Sequence, residues 1–139
     1  MNWFKRKKPQ DSQPSPTPRA TPEPEPLTIP EVTPREVHEA MANGEALVFL
    51  DVRQPWDHDL QRPAGAQPLP LNELPSRMDE LDRDARIVLS CYHGYTSLQG
   101  AAFLMQNGFG NVQSMSGGFA GWAEANLPIE GRGAPHRPS

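Results

Sequence analysis

Two apolar runs stand out along the chain. Ala46-Leu-Val-Phe-Leu50 ends at Asp51, and Arg86-Ile-Val-Leu-Ser90 carries an apolar centre into Cys91. Neither run alternates with polar residues, which is the pattern of strands buried on both faces. Helical spacing lies between and around them. Thr33-Pro34-Arg35-Glu36 reads as a helix start, with a Thr N-cap, Pro at the first helical position and Glu at the third. Val37, Ala40 and Met41 then share a face, and Asn43-Gly44 closes the helix. Leu74, Met78 and Leu81 share a face of a short helix capped by Asn72, with Pro75 in its tolerant first turn. After Cys91 an apolar-periodic stretch runs through Met105; Thr96 or Ser97 would cap it and Asn107-Gly108 would end it. Val112 to Met115 is a short strand candidate, and Gly117-Gly118 opens a last helix bearing Phe119 and Trp122. Strands alternating with helices predict an α/β domain, with a largely parallel central sheet and helices on both faces. In such sheets ligands gather at the carboxyl ends of strands, where Asp51 and Cys91 both stand.

The pattern fades outside residues 27–130. Of 139 residues 17 are proline, and Pro9 to Pro26 holds almost nothing apolar. Such a segment cannot bury enough surface to offset the entropy of ordering it. Residues 1–26 are therefore expected to be a disordered basic, Pro-rich tail, residues 27–130 the single domain, and residues 131–139 a second disordered tail. Charge divides along the same boundary. Lys5, Arg6, Lys7 and Lys8 cluster at the N-terminus, whereas residues 27–130 hold six arginines, no lysine and fourteen acidic residues, a net charge of −8. That argues against nucleic acid as a partner. Trp3 and Phe4 beside the four cations raise contact with an anionic membrane surface or a partner protein, but a solvated start is the favoured expectation. No apolar run follows the basic residues, so neither a signal peptide nor a spanning helix is expected. The single cysteine excludes an intramolecular disulfide and a four-cysteine zinc site, and suits a reducing compartment. A cytoplasmic location is expected.

Candidate chemistry concentrates in Cys91-Tyr-His-Gly-Tyr-Thr-Ser97. A buried strand, a short Gly-containing loop and a helix start form a cradle of backbone N–H groups, with the positive end of the helix dipole behind it. Gly94 permits backbone conformations that a side chain forbids. A cysteine at the base of such a cradle is favoured as the thiolate, and a persulfide anion would be held the same way. By position alone, however, a lone cysteine after a strand is more often an inert core residue.

The company of Cys91 changes the balance. Its loop resembles the active-site loop of rhodanese domains, C-x-x-G-x-[RST]-S, and is most similar to that of short single-domain bacterial thiosulfate sulfurtransferases. Asp51-Val-Arg53 followed by Gln54-Pro55-Trp56-Asp57 resembles the family's D-V-R-x-x-x-E signature. Pro63-Ala64-Gly65-Ala66 with Leu69-Pro70-Leu71 resembles its G-H-I-x-G-A and I-P continuation, and Gly117-Gly118-Phe-Ala-Gly-Trp122 its G-G-x-x-x-W element. The four matches fall in family order across nearly all of residues 27–130. The resemblance implies a rhodanese-like fold and a sulfurtransferase. Cys91 would take sulfur from thiosulfate or a related persulfide and pass it to a thiol or a protein cysteine. No metal or organic cofactor is implied. The amides of Tyr92, His93, Gly94, Tyr95, Thr96 and Ser97 would hold the persulfide, with the hydroxyls of Thr96 and Ser97 adding donors.

Departures from the pattern bear on substrate. Many family members carry Arg where this chain has Thr96, which removes a bidentate contact to an anionic donor. Gln61-Arg62 replaces the usual Gly-His, and Arg62 is read as a surface residue before a substrate-steering cation. Asp51 and Arg53 are expected to form a buried structural ion pair supporting the loops. His93 either tunes the chemistry or points outward; His58 and His38 are expected at the surface, Phe119 and Trp122 in the core, Trp56 near the site mouth and Tyr95 at its wall. Two rivals remain. One is a rhodanese fold used for protein binding with little catalysis, which has no need of a complete cradle. The other is a cysteine phosphatase or arsenate reductase, which needs an Arg where Ser97 stands.

Overall fold

A computed structural model describes residues 27–134. The expectations placed on residues 1–26 and 135–139, including the Trp3-Phe4 basic segment, lie outside the described residues.

The chain opens with β1 (Glu31–Val32) and α1 (Pro34–Ala42), followed by β2 (Val48–Asp51) and α2 (Pro55–Leu60). Two short strands come next, β3 (Arg62–Pro63) and β4 (Gln67–Pro68), and then a single turn of α3 (Leu74–Arg77). The remainder is β5 (Ile87–Ser90), α4 (Thr96–Gln106), β6 (Val112–Met115), α5 (Gly118–Glu124) and β7 (Ile129–Glu130). Five strands form one sheet in the order β1-β6-β5-β2-β4, every pairing parallel. A separate antiparallel pair joins β3 to β7. The central strand, β5, feeds directly into Cys91.

Side-chain alternation explains why β2 and β5 are apolar up to their last residues, Asp51 and Ser90. Ile87 and Leu89 of β5 join Leu50, Leu74, Ala101 and Leu104 in one core cluster, under α3 and α4. Val88, between them, joins Phe49, Val37, Met115 and Trp122 in the other, under α1 and α5. Successive residues of a strand face opposite sides, so the body of a central strand covered by helices on both faces takes apolar residues on each.

Local signals account for the helix ends. Thr33 accepts from the Glu36 amide at 3.1 Å while the Glu36 carboxylate accepts from the Thr33 amide at 2.8 Å, completing a capping box ahead of Pro34. The segment carrying Leu74, Met78 and Leu81 is less regular than a capped helix. It runs as a 3₁₀ turn at Leu71–Glu73, α3, and a second 3₁₀ turn at Met78–Glu80, with no side-chain cap from Asn72. Residues 131–134, expected in a tail, are instead tied to α2. The Arg132 amide donates to the Asp59 carbonyl at 3.1 Å and the Gly133 amide to Leu60 at 2.8 Å, while Gln61 Nε2 donates to the Gly133 carbonyl at 2.8 Å.

Trp122 anchors the second cluster. It is fully buried, its ring lies 5.6 Å from that of Phe49, and its indole N–H donates to the Pro128 carbonyl at 2.6 Å. Trp122→Ala removes this packing and one of the two donors to the Pro128 carbonyl, which keeps only the Ala64 amide at 2.9 Å. It should cost about 4 kcal/mol, measured as a fall in the urea midpoint without a change in slope.

Candidate active site

Cys91 leaves the end of β5 almost fully buried, at 3 % relative exposure. Its sulfur accepts two backbone hydrogen bonds, from Gly94 N at 3.1 Å and Ser97 N at 3.2 Å, and Ser97 Oγ lies 3.4 Å away. Ser97 is the second residue of α4, so its amide is one of the donors a helix start leaves unpaired. Thr96 or Ser97 was expected to cap this helix, but Tyr95 occupies the N-cap and makes no side-chain bond. The sulfur does the capping. Ser97 Oγ is occupied elsewhere, 2.7 Å from Ser114 Oγ on β6, and both serines are completely buried.

The loop can fold this way because of two glycines. Gly94 has φ +98°, and a Cβ there would stand 2.9 Å from Gly117 N. Gly118 has φ +56°, and a Cβ there would come within contact of the Cys91 carbonyl oxygen far too closely to fit. The start of α5 thus lies flat against the cysteine loop. The Phe119 amide donates to the Cys91 carbonyl at 2.7 Å and the Ala120 amide to the Tyr92 carbonyl at 2.9 Å. The expected role of Gly117-Gly118 was to open a helix; its second role, holding Cys91 in place, has no local signature in the sequence.

At the neighbouring strand end, Asp51 is fully buried and forms the expected ion pair with Arg53. Arg53 Nε donates to Asp51 Oδ1 at 3.0 Å and Nη2 to Oδ2 at 2.8 Å, and the guanidinium lies 4.8 Å from the centre of the Phe119 ring. His58 corrects an expectation. It is buried, with Nδ1 2.9 Å from Asp51 Oδ2, because the single-turn loop after β2 returns α2 over the strand end. His38 is likewise not free at the surface, since its ring meets Trp122 edge-on at 5.8 Å.

A cavity of about 580 Å³ opens over Cys91, lined among others by Arg53, Gln54, Asp57, Asn72, Tyr92 and Thr96. Several expected site residues fall outside its lining. Tyr95 is 75 % exposed and does not wall the cavity; Tyr92, half-exposed, takes that place. His93 is exposed, its ring edge-on to Tyr92 at 4.5 Å. Trp56 projects from α2 into solvent rather than over the mouth. Arg62 is a bracing residue rather than a steering one: its Nη1 donates to the His58 carbonyl at 3.1 Å, and Nε lies 3.8 Å from Glu130. Asn72 and Gln54 are contributions the sequence did not reveal, because nothing in their neighbourhoods marks them as facing a cavity. Among the described residues no group of three or more His, Cys, Asp or Glu side chains is placed to hold a metal ion, and no helix is long and apolar enough to cross a membrane.

The family model of the rhodanese-like domain matches residues 33–125. This chain belongs to the rhodanese-like family. It is 40 % identical over 103 residues to the thiosulfate sulfurtransferase GlpE of Glaesserella parasuis, covering 74 % of this chain and 94 % of the relative. A sulfurtransferase of Allochromatium vinosum is 33 % identical over 99 residues, covering 71 % of this chain and 92 % of the relative. The crystal structure of a rhodanese-related protein from Thermoplasma volcanium superposes with a TM-score of 0.66 at 28 % identity, covering 73 % of this chain and 97 % of that one.

Removing the Asp51 carboxylate strands Arg53 as a buried, uncompensated cation. Asp51→Ala should therefore destabilise the domain by about 3 kcal/mol or more, measured by chemical denaturation at neutral pH. A loss under about 1 kcal/mol would show that the pair contributes little to holding the strand end.

Proposed function

We propose that this rhodanese-family sulfurtransferase works by double displacement through a persulfide on Cys91, loaded by thiosulfate or a related persulfide donor and discharged to a thiol or protein cysteine. The supporting observation is the sulfur itself, which accepts two backbone N–H bonds at the floor of a cavity. N–H donors meet an anionic sulfur better than a neutral one, so the cradle serves the attacking thiolate and the persulfide alike.

In the first half-reaction Cys91 Sγ attacks the outer sulfur of thiosulfate. The bond between the two donor sulfurs breaks, and its electron pair leaves with sulfite. The charge of the thiolate passes to the outer sulfur of the persulfide. That atom extends into the space lined by Tyr92 and Thr96. The amides of Tyr92, His93 and Tyr95 donate to no acceptor among the described residues and are free to meet it. In the second half-reaction an acceptor sulfur attacks this outer atom, and the electron pair of the S–S bond returns to Sγ. The chemistry needs neither an electron carrier nor a metal. A reducing cytoplasm suits it, since Cys91 must begin each cycle as a free thiol.

Cys91→Ser tests the reading. Intact mass spectrometry of the wild type after thiosulfate or glutathione persulfide should show the gain of one sulfur atom, lost again on adding cyanide. The variant should gain none while unfolding within about 1 kcal/mol of the wild type. A wild type that takes up no sulfur from either donor would instead favour a rhodanese fold used for protein binding.

A further inference from the structure

The cavity over Cys91 has two charged side chains in its lining, Arg53 and Asp57, and they differ in how they are engaged. Arg53 is committed. Its guanidinium is paired with Asp51, donates to the Gln61 carbonyl and stacks on Phe119, and its side chain is only 8 % exposed. Asp57 is exposed, and among the described residues its carboxylate takes part in no ion pair or side-chain hydrogen bond. Asp51 and Arg53 cancel each other, so the uncompensated charge in the lining is the Asp57 carboxylate. Thr96, on the opposite side of the sulfur in sequence, brings a hydroxyl and no cation. The surrounding domain, at −8 over residues 27–130, adds a field of the same sign. Tyr92 supplies an aromatic surface in the same wall, which also favours a cation.

We infer that Asp57 is a specificity-determining residue, selecting acceptor thiols that carry a cationic group beside the sulfur and opposing dianionic ligands in the same space. The inference rests on the reading of Cys91 as sulfur carrier. The acceptor thiol attacks the outer sulfur of the Cys91 persulfide anion. One S–S bond forms to the acceptor while the bond to Cys91 breaks. The electron pair returns to Sγ, and the acceptor's proton stays with the new persulfide. An ammonium or guanidinium a few atoms from the attacking sulfur would sit beside Asp57 during this step. The mouth is open to water, so the discrimination is moderate, on the order of fivefold at low salt.

The test uses the full chain, loaded with persulfide and followed by intact mass spectrometry as acceptors remove the sulfur. Cysteamine, mercaptopropionate and tripeptides with lysine or glutamate on both sides of cysteine serve as acceptors. Each rate is divided by that of Asp57→Asn, which cancels the intrinsic reactivity of the thiols. The variant should lower the cationic-to-anionic preference about fivefold, while loading by thiosulfate rises by a similar factor. Opposite changes in the two half-reactions cannot come from a loosened site. Asp57→Glu should retain the wild-type preference, and salt should narrow that preference in the wild type alone. A preference shared by cysteamine and the lysine peptide points to small aminothiols; one confined to the peptide points to a basic protein segment, and either sustains the inference. A preference unchanged within twofold in Asp57→Asn, or loading and discharge that fall together, would overturn it while leaving Cys91 as carrier. Failure of the wild type to load at all would overturn the carrier reading itself.

Discussion

The site depends on one substitution of roles: a sulfur atom caps a helix. Every α-helix begins with amides that have no partner in the helix, and a side-chain oxygen usually accepts one of them. In α4 the Ser97 amide donates to Cys91 Sγ, an atom six residues earlier at the end of β5. The bond fixes the sulfur where the dipole of an 11-residue helix and the strand end converge. It also frees Ser97 Oγ to reach Ser114 and tie the helix to β6. Moving the sulfur away would leave a buried helix amide unsatisfied, so reactivity and local stability are served by the same contact.

That contact is only as good as the backbone around it. Gly94 turns the loop through a conformation unsuited to side chains, and Gly118 brings α5 close enough for its amides to bond the Cys91 and Tyr92 carbonyls. The loop is therefore held from two elements distant in sequence. Beside it, the buried cluster of Asp51, Arg53 and His58 stiffens the end of β2, the strand paired with β5. Parallel pairing puts both strand ends on one edge, which is why the Cys91 sulfur and the Asp51–Arg53 ion pair are neighbours although about forty residues apart in sequence.

The elements read from the sequence were those whose physics is local. β2 and β5 fall within two residues of their apolar runs, α1 starts at its capping box, and β6 matches Val112 to Met115. The two-residue strands β1, β3, β4 and β7 were not legible: each contains either proline or a charged residue, and their pairing is made largely by the backbone. In the site, Cys91, Gly94, Ser97 and the Asp51–Arg53 pair stood out because motif and chemistry coincide there. His58 did not, since its partner is reached only when α2 folds back over the strand. Tyr92 and Tyr95 are both aromatic loop residues, and only the turn of the loop decides that the first lines the cavity and the second faces water. Residues 131–134 have no apolar signal; their hold on α2 comes largely from main-chain hydrogen bonds, which composition does not report.

Burial sets a further condition on any acceptor. Cys91 is 3 % exposed, so its sulfur cannot meet a partner across a flat surface. On the proposed mechanism a persulfide would move the reactive atom outward by one S–S bond, about 2 Å, into the cavity lined by Tyr92, Thr96 and Asn72. On that mechanism the acceptor would have to bring its sulfur into the cavity and approach nearly along the S–S axis, the direction displacement requires. The same lining leaves the exposed Asp57 near the path of whatever follows the sulfur in. Shape admits a thiol, and charge then acts on the atoms attached to it. Selection of acceptor chemistry thus rests on the rim of the cavity, while the floor, built of backbone amides, can remain the same for every sulfur it holds.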